Sequence, residues 1–331
     1  MKKMTMLIIF LFCLYMFSGC NASGLQYFLH ENGEYYVASG NPKNEKKYVV
    51  IPDEYKEKPI GEITANAFSG WKKLDSVTIS GTVGKIGENA FSHCPNLQNL
   101  FFEKSDENKE VFLEIEKYAF ADCDSLTKLF LPKRLKALGE GAFFDCDNIY
   151  DIYLSENLET IGKDAFQDCD SLMSITVEGQ NKNFKSENGV LFNADGSILL
   201  QYPQAKGEES FSIGYDLKEI GEKAFMNADI KIIDLNNLII DKLGDYAFQD
   251  CKSLQKVVLC MATDEIGVGC FSGCSNLQEV VFYETQGWTA IQKDTFGNVT
   301  DKREFSTQEL SDPVTAKTML TQYCDYQWIR R

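Results

Sequence analysis

The residues best suited to chemistry in this sequence are its cysteines and the aspartates beside them. The chain has eleven cysteines, and six of them stand three positions after a phenylalanine: Cys94, Cys123, Cys146, Cys169, Cys251 and Cys274. Aspartates directly precede or follow most of these: Asp122, Asp124, Asp145, Asp147, Asp168, Asp170 and Asp250. Neighbouring thiols can form disulfides, and clustered carboxylates can bind a metal ion such as Ca²⁺. The elements that position these side chains decide which chemistry is possible.

The recurrence of the cysteines favours a structural role. A cysteine at a fixed place in a repeated unit stacks on the equivalent cysteine of the next unit, at about the 5 Å spacing of neighbouring strands. That distance permits a disulfide, but stacked side chains point in parallel rather than towards each other, which disfavours one. The sequence therefore predicts a ladder of reduced, buried thiols, and a disulfide staple is the alternative.

The repeated aspartates have two interpretations. Each carboxylate can cap the turn in which it lies by accepting hydrogen bonds from backbone amides. Alternatively, stacked carboxylates, which repel one another, can share bound Ca²⁺. We expect turn capping, and we assign no metal ligands.

The sequence shows no catalytic constellation. Its two histidines are His30 and His93, and His93 takes a turn position that other repeats fill with Asp, Gly or Asn. Motifs of the G-x-S-x-G, H-E-x-x-H and P-loop types are missing from the sequence. Because no nucleophile and base can be paired, the sequence predicts a protein that is not an enzyme and uses no cofactor.

The elements that carry the cysteines recur about every 23 residues. The aligned phenylalanines are Phe68, Phe91, Phe120, Phe143, Phe166, Phe225, Phe248, Phe271 and, in a weaker copy, Phe296. Most are 23 residues apart, but the spacing is 29 after Phe91, 59 after Phe166 and 25 before Phe296. Such a period is typical of a solenoid, in which stacked units bury apolar faces that one unit cannot bury alone.

One unit, residues 161–177, shows how each coil is built. Its first part spaces apolar residues as a helix does: Ile161, Ala165, Phe166, Cys169 and Leu172. This spacing predicts one or two helical turns. Residues 174–177 alternate as a strand does. The sequence therefore predicts an α/β repeat solenoid with a sheet on one face and short helical turns on the other.

These residues resemble the BspA-like leucine-rich repeats of bacterial surface proteins, whose pattern is I-G-x-x-A-F-x-x-C-x-x-L-x-x-I-x-I. One copy is formed by Ile86, Gly87, Ala90, Phe91, Cys94, Leu97, Leu100 and Phe102, and the units around Phe143 and Phe248 match it again. The resemblance covers roughly residues 48–297. It implies a leucine-rich-repeat fold and non-enzymatic binding of host proteins or cell-surface ligands.

The strand of each coil places alternate residues on the outside. Ile175 and Val177 point inwards, so Thr176 points outwards. Its equivalents in the three units directly before it are aromatic, which predicts an exposed row formed by Phe101, Phe130, Tyr153 and Thr176. Exposed aromatic rows favour ligand binding. The alternatives are that the N-terminal cap or loop 103–110 shields the row, that the row packs in a dimer, or that it has no role.

Residues 1–20 predict an export signal. Lys2 and Lys3 precede an apolar run over residues 4–17, which is too short to span a bilayer. Residues 18–20, Ser-Gly-Cys, resemble the lipobox of bacterial lipoproteins. This implies lipidation of Cys20 and attachment to the outside of a bacterial membrane through acyl chains. The alternative is an ordinary signal peptide that leaves Cys20 free.

The remaining segments surround the repeats. Residues 21–59 predict an N-terminal β cap with a hairpin turn at 31–34. Residues 60–297 form the solenoid, and residues 178–213 form a hairpin insertion centred on Asp195-Gly196. Residues 298–331 predict a capping helix that begins at Pro313, or else a loosely ordered tail.

Charge limits the choice of partner. The net charge of −16 argues against nucleic acid, because phosphate binding needs a basic surface. We expect a non-enzymatic cell-surface module for protein binding or adhesion, with a host or envelope protein as ligand on the strand face. The alternative is a lipid-anchored structural or receptor subunit that binds an envelope protein or a glycan.

Overall fold

The computed structural model describes residues 24–105, 111–211 and 217–331. The strands of the first part are β1 (Leu25–Leu29), β2 (Tyr36–Gly40), β3 (Tyr48–Ile51), β4 (Glu54–Tyr55), β5 (Lys58–Ile63), β6 (Ser76–Ile79), β7 (Lys85–Ile86), β8 (Asn99–Phe102) and β9 (Leu113–Ile115). The next are β10 (Lys128–Phe130), β11 (Leu135–Leu138), β12 (Asp151–Leu154), β13 (Thr160–Ile161), β14 (Ser174–Val177), β15 (Phe184–Glu187), β16 (Val190–Asn193), β17 (Ile198–Gln201) and β18 (Ser210–Phe211). The last are β19 (Glu219–Ile220), β20 (Ile232–Asp234), β21 (Lys242–Leu243), β22 (Lys256–Val258), β23 (Glu265–Ile266), β24 (Glu279–Val281), β25 (Trp288–Lys293), β26 (Val299–Glu304) and β27 (Gln327–Arg330).

Helices are few. A 3₁₀ turn covers Pro42–Asn44, and the helices α1 (Thr307–Ser311) and α2 (Pro313–Gln322) lie near the carboxyl end. A search of the described residues found no helix with the length and apolar character needed to cross a bilayer.

The solenoid is built from two sets of parallel strands. One set forms three consecutive sheets, β3-β6-β8, β10-β12-β14 and β18-β20-β22-β24, and we call their outer surface the strand face. The other set contains the short strands, in the orders β1-β2-β5-β7-β9-β11-β13 and β15-β16-β17-β19-β21-β23-β27-β25-β26. Equivalent residues of consecutive coils lie opposite each other, as Lys128, Asp151 and Ser174 do. The chain is therefore a β-solenoid with leucine-rich-repeat architecture.

The helical turns expected opposite the strand face are replaced by tight turns. In the coil around Phe91, the amide of Ala90 donates to the carbonyl of Gly87, 3.1 Å away. The amide of Phe91 instead donates to Ala119 in the next coil, at 2.7 Å. Alternate amides of this turn thus bond to the next coil, whereas the amides inside an α-helix all bond within one segment.

Left-handed backbone explains why no helix forms there. Asn89 has a φ of 54° and His93 a φ of 55°, and the same pair of positions recurs at Asp164 and Asp168. A right-handed helix requires negative φ at every residue. Two left-handed residues four positions apart therefore interrupt any helical turn while keeping apolar residues at helix-like spacing.

The repeated phenylalanines form the core. The rings of Phe68 and Phe91 stack with centroids 4.8 Å apart, and those of Phe91 and Phe120 with centroids 5.0 Å apart. Beyond the insertion, Tyr202 takes the ladder position, and its ring stacks on Phe225 at 4.6 Å. Its amide also donates to the next coil, as the phenylalanine amides do. The 59-residue spacing therefore contains one additional coil.

The repeated cysteines are free and buried, as predicted. Each of the six ladder thiols donates to the backbone carbonyl of the phenylalanine one coil earlier. Cys251 Sγ lies 2.9 Å from Phe225 O, and Cys94 Sγ lies 3.2 Å from Phe68 O. The cysteine thus supplies a small apolar side chain with a weak donor that satisfies a buried carbonyl.

The insertion and the ends extend the short-strand sheets. β15, β16 and β17 pair antiparallel, with Asp195-Gly196 between β16 and β17. At the amino end, β1 and β2 form an antiparallel hairpin. At the carboxyl end, α2 packs on β24, and β27 pairs with both β23 and β25. Phe296 does not extend the ladder, because it lies in the β25–β26 turn with 88% of its surface exposed.

Candidate functional site

The strand face carries the residues that the sequence singled out as a row. Phe101 lies opposite Thr78 in the β3-β6-β8 sheet. Phe130 lies opposite Tyr153, which lies opposite Thr176, in the β10-β12-β14 sheet. The predicted row is therefore divided between two sheets, with Phe101 on one and the other three residues on the next.

The two phenylalanines are open to solvent. Phe101 is 54% exposed and Phe130 is 61% exposed, while Tyr153 and Thr176 are half-buried. The rings of Phe130 and Tyr153 stack with centroids 4.5 Å apart and planes 9° from parallel. Such a stack is a preformed apolar platform, because the two rings already hold each other in place.

A groove separates β8 from β10, and we call it the strand-face groove. It coincides with the 29-residue spacing, in which residues 103–112 connect β8 to β9, whereas residues 80–84 connect β6 to β7 in the preceding coil. The groove has a volume of about 1180 Å³. Its lining includes Phe101, Phe102, Phe130, Leu131, Pro132 and Arg134. The longer loop thus accompanies a break in the sheet, which the sequence did not predict.

Arg134 is a residue of this groove that sequence reasoning missed. Its side chain reaches back across one whole coil, so that Nη1 donates to the carbonyl of Val83 and Nη2 to that of Ser80. Burial lowers the pKa of Arg134 to about 10, and the guanidinium stays charged at neutral pH. The sequence did single out this residue, because Arg134 is the one arginine between residues 60 and 297.

The aspartates before the cysteines have a conformational explanation. Asp122, Asp145, Asp168 and Asp250 all have φ between 55° and 58°. Asp, Asn and Gly tolerate this left-handed region better than other residues. Over the described coils, no backbone amide of the same turn donates to these four carboxylates, so the expected turn capping is replaced by this backbone requirement.

The stacked carboxylates affect one another. Burial, followed by the charges of Asp147, Asp122 and Asp168, raises the pKa of Asp145 to about 6. Within the described part of the chain, no group of three or more Asp, Glu, His or Cys side chains is arranged to hold a metal ion. The Ca²⁺ alternative therefore receives no support from the geometry.

The remaining candidates lie apart from the groove. His93 Nδ1 is 3.2 Å from the carboxylate of Asp122 in a surface turn, where the imidazole is 68% exposed. His30 stacks on Tyr35. Cys20 and the rest of the predicted export signal lie outside the described residues.

Comparison with known proteins agrees with this architecture. The family profile described as BspA type leucine-rich repeat region matches residues 61–188 and 204–315 in six copies. The chain is similar to the pneumococcal vaccine antigen PcpA, with 21% identity and a TM-score of 0.62 over 82% of this chain and 83% of that one.

Two further solved structures are similar at lower scores. The leucine-rich repeat protein TpLRR of T. pallidum is 21% identical, with a TM-score of 0.46 over 78% of this chain and 91% of that one. A leucine-rich cell surface protein of Faecalibacterium prausnitzii is 19% identical, with a TM-score of 0.47 over 80% of this chain and 88% of that one. No curated protein matches the chain. Because the repeat profile covers most of its residues, the chain belongs to the family of BspA-type leucine-rich repeat proteins.

Proposed function

We propose that this chain is a non-enzymatic cell-surface module that binds a protein ligand in the strand-face groove. The observation that carries the proposal is the exposure of Phe101 and Phe130 on the two sides of the groove. Exposed aromatic side chains around a concave surface mark sites of association, because aromatic residues dominate interface energetics. The platform formed by Phe130 and Tyr153, with Thr176 beside it, extends the contact surface along β10, β12 and β14.

The location that we propose is the outside of a bacterial membrane. The basic start, the short apolar run and Cys20 support export followed by lipidation. Among structurally similar proteins, the one from F. prausnitzii is described as a cell surface protein. A host protein would make the module an adhesin, whereas an envelope protein of the same cell would make it a receptor or structural subunit.

Capture of ligand by matched variants tests the proposal. The full-length chain, purified in detergent, is immobilised and exposed to host matrix and to envelope fractions. We expect F130S to lose at least about nine-tenths of the captured protein, because a central aromatic contact is worth roughly 2 kcal/mol or more. The control is F296S, which removes a still more exposed ring far along the chain and should capture as the unmodified chain does.

Thermal unfolding of the same proteins separates binding from folding. F130S removes a surface ring that stacks on Tyr153 and should cost no more than about 1.5 kcal/mol, whereas F296S should stay within about 0.5 kcal/mol. Undiminished capture by F130S, or an equal loss with F296S, would exclude the groove as the binding site.

A further inference from the structure

Arg134 is a buried cation that has no counter-ion among the residues that the structure describes. Its side chain is only 7% exposed. No carboxylate pairs with it among the described residues, and two backbone carbonyls are its hydrogen-bond acceptors. Its Nε has no hydrogen-bond partner in the described part of the chain. A buried charge is unfavourable unless it is paired, so an anion brought to this guanidinium would gain a strong, charge-assisted interaction.

The described lining of the groove is basic, unlike the chain as a whole. The whole chain carries −16, yet the basic residues in the groove lining are Lys104, Lys128, Lys133 and Arg134. Among the described residues, Glu103 is the only carboxylate in that lining. Lys128 pairs with Asp151 at 3.2 Å, and Lys133 pairs with Glu156 at 3.4 Å, whereas Arg134 has no such pair in the described structure. Charge complementarity therefore favours an anionic group next to Arg134.

The walls of the groove indicate the other contacts that a ligand could make. β8 pairs only with β6, and β10 pairs only with β12, so over the described residues the edges that face the groove have no strand partner. Unpaired strand edges offer backbone donors and acceptors to an extended polypeptide. The exposed rings of Phe101 and Phe130 offer an apolar contact beside it.

We infer that the strand-face groove holds an extended segment of the protein ligand that places an acidic side chain on Arg134 and an aromatic or aliphatic side chain between Phe101 and Phe130. This inference rests on the proposed function and names the chemistry of its ligand. An internal acidic residue fits better than a carboxyl terminus, because the two unpaired strand edges accommodate a segment that continues past the guanidinium.

Three labelled peptides of one length test the inference by fluorescence anisotropy on the full-length chain. The first has a central glutamate between phenylalanine and isoleucine and is acetylated and amidated. The second has glutamine in place of the glutamate. The third is the glutamine peptide with a free terminal carboxylate. We expect the glutamate peptide to bind at least about tenfold more tightly than the amidated glutamine peptide, as charge-assisted hydrogen bonds imply.

The variants R134M and K72M show whether the guanidinium causes the preference. Lys72 lies exposed in a turn away from the groove lining, so K72M removes a positive charge and should keep the preference. R134M should bind both amidated peptides alike, and R134K should recover part of the difference. Circular dichroism checks that each variant is folded.

Several outcomes would overturn the inference. These are the absence of binding at millimolar peptide, equal binding of the two amidated peptides to the unmodified chain, and a preference that persists in R134M. Tighter binding of the free-carboxylate peptide than of the glutamate peptide would assign the groove to a chain terminus instead. Protein capture that depends on Phe130 but not on Arg134 would refute this inference and leave the proposed function standing, whereas capture independent of Phe130 would refute the proposed function.

Discussion

Replacing one ring of the phenylalanine ladder tests how the solenoid is held together. Phe91 is fully buried, and its ring stacks on Phe68 at 4.8 Å and on Phe120 at 5.0 Å, with planes within 5° of parallel. F91A removes both the buried surface and the two stacked pairs. Truncations of this kind leave a cavity that packed neighbours fill only in part.

The expected loss in the free energy of unfolding follows from two contributions, the buried surface of the ring and its two stacked pairs. A buried Phe→Ala change costs about 3–5 kcal/mol, which includes the cavity. F91L keeps most of the volume but loses two stacked pairs at about 0.5–1.5 kcal/mol each, so it should cost about 1–3 kcal/mol. F296A removes an exposed ring and should stay within about 0.5 kcal/mol of the unmodified chain.

Guanidinium unfolding followed by circular dichroism measures these differences, with the free energy of unfolding extrapolated to zero denaturant. The slope of the free energy of unfolding against denaturant concentration must be similar in all four proteins for their values to be compared. A solenoid can lose cooperativity when one coil weakens, and the slope would then change. Equal costs for F91A and F296A would show that the ladder is not the core. An F91L cost as small as that of F296A would show that stacking adds nothing to burial.

Two further predictions concern the ladders beside the phenylalanines. Burial raises the pKa of Cys123, Cys146 and Cys169, so among the described cysteines Ellman's reagent should react first with the half-buried Cys324 and reach the ladder thiols only in denaturant. Fewer than six ladder thiols released without reductant would contradict free cysteines. For Asp145, a folded-state pKa of about 6 lies above its ordinary 3.8, so protonation of this carboxylate favours the folded chain. The stability gained in this way is complete below about pH 4 and is lost as the pH rises through 6. The D145N variant should therefore lose less thermal stability than the unmodified chain between pH 4 and 7, and an identical pH profile would refute this assignment.

The coil register could be predicted because identical residues recur at identical spacing. Each phenylalanine stacks on its equivalent because 23 residues return the chain to the same position. Tyr202 escaped detection, since it replaces phenylalanine and directly follows the hairpin insertion. Its position, 23 residues before Phe225, was the available signal.

The helical turns were wrongly expected for a definite reason. Apolar residues at spacings of four indicate a helix, but a turn with two left-handed residues four positions apart produces the same spacing. The frequent Asp, Asn and Gly at these positions, such as Asp164, Asp168, Gly269 and Gly273, distinguish the two cases. The type of side chain at these positions, rather than the spacing of apolar residues, was the signal that distinguishes a tight turn from a helical one.

The candidate site was predictable only in part. Alternation along the strands correctly pointed Phe101 and Phe130 outwards, because one face of each strand must be buried. The length of loop 103–112 shows where residues are inserted, but it does not show that β8 and β10 separate. The reach of Arg134 to Ser80 and Val83 depends on that separation and could not be read from local spacing.

Photo-cross-linking from the groove tests most directly whether it is the binding surface. A benzophenone amino acid replaces Phe130 in one protein and Phe296 in another, and each is irradiated with the host matrix and envelope fractions. We expect a discrete protein adduct from position 130 whose cross-linked peptide carries an acidic residue beside an apolar one, and none from position 296. The same adducts from both positions, or none from position 130 while the chain still captures its ligand, would contradict binding in the strand-face groove.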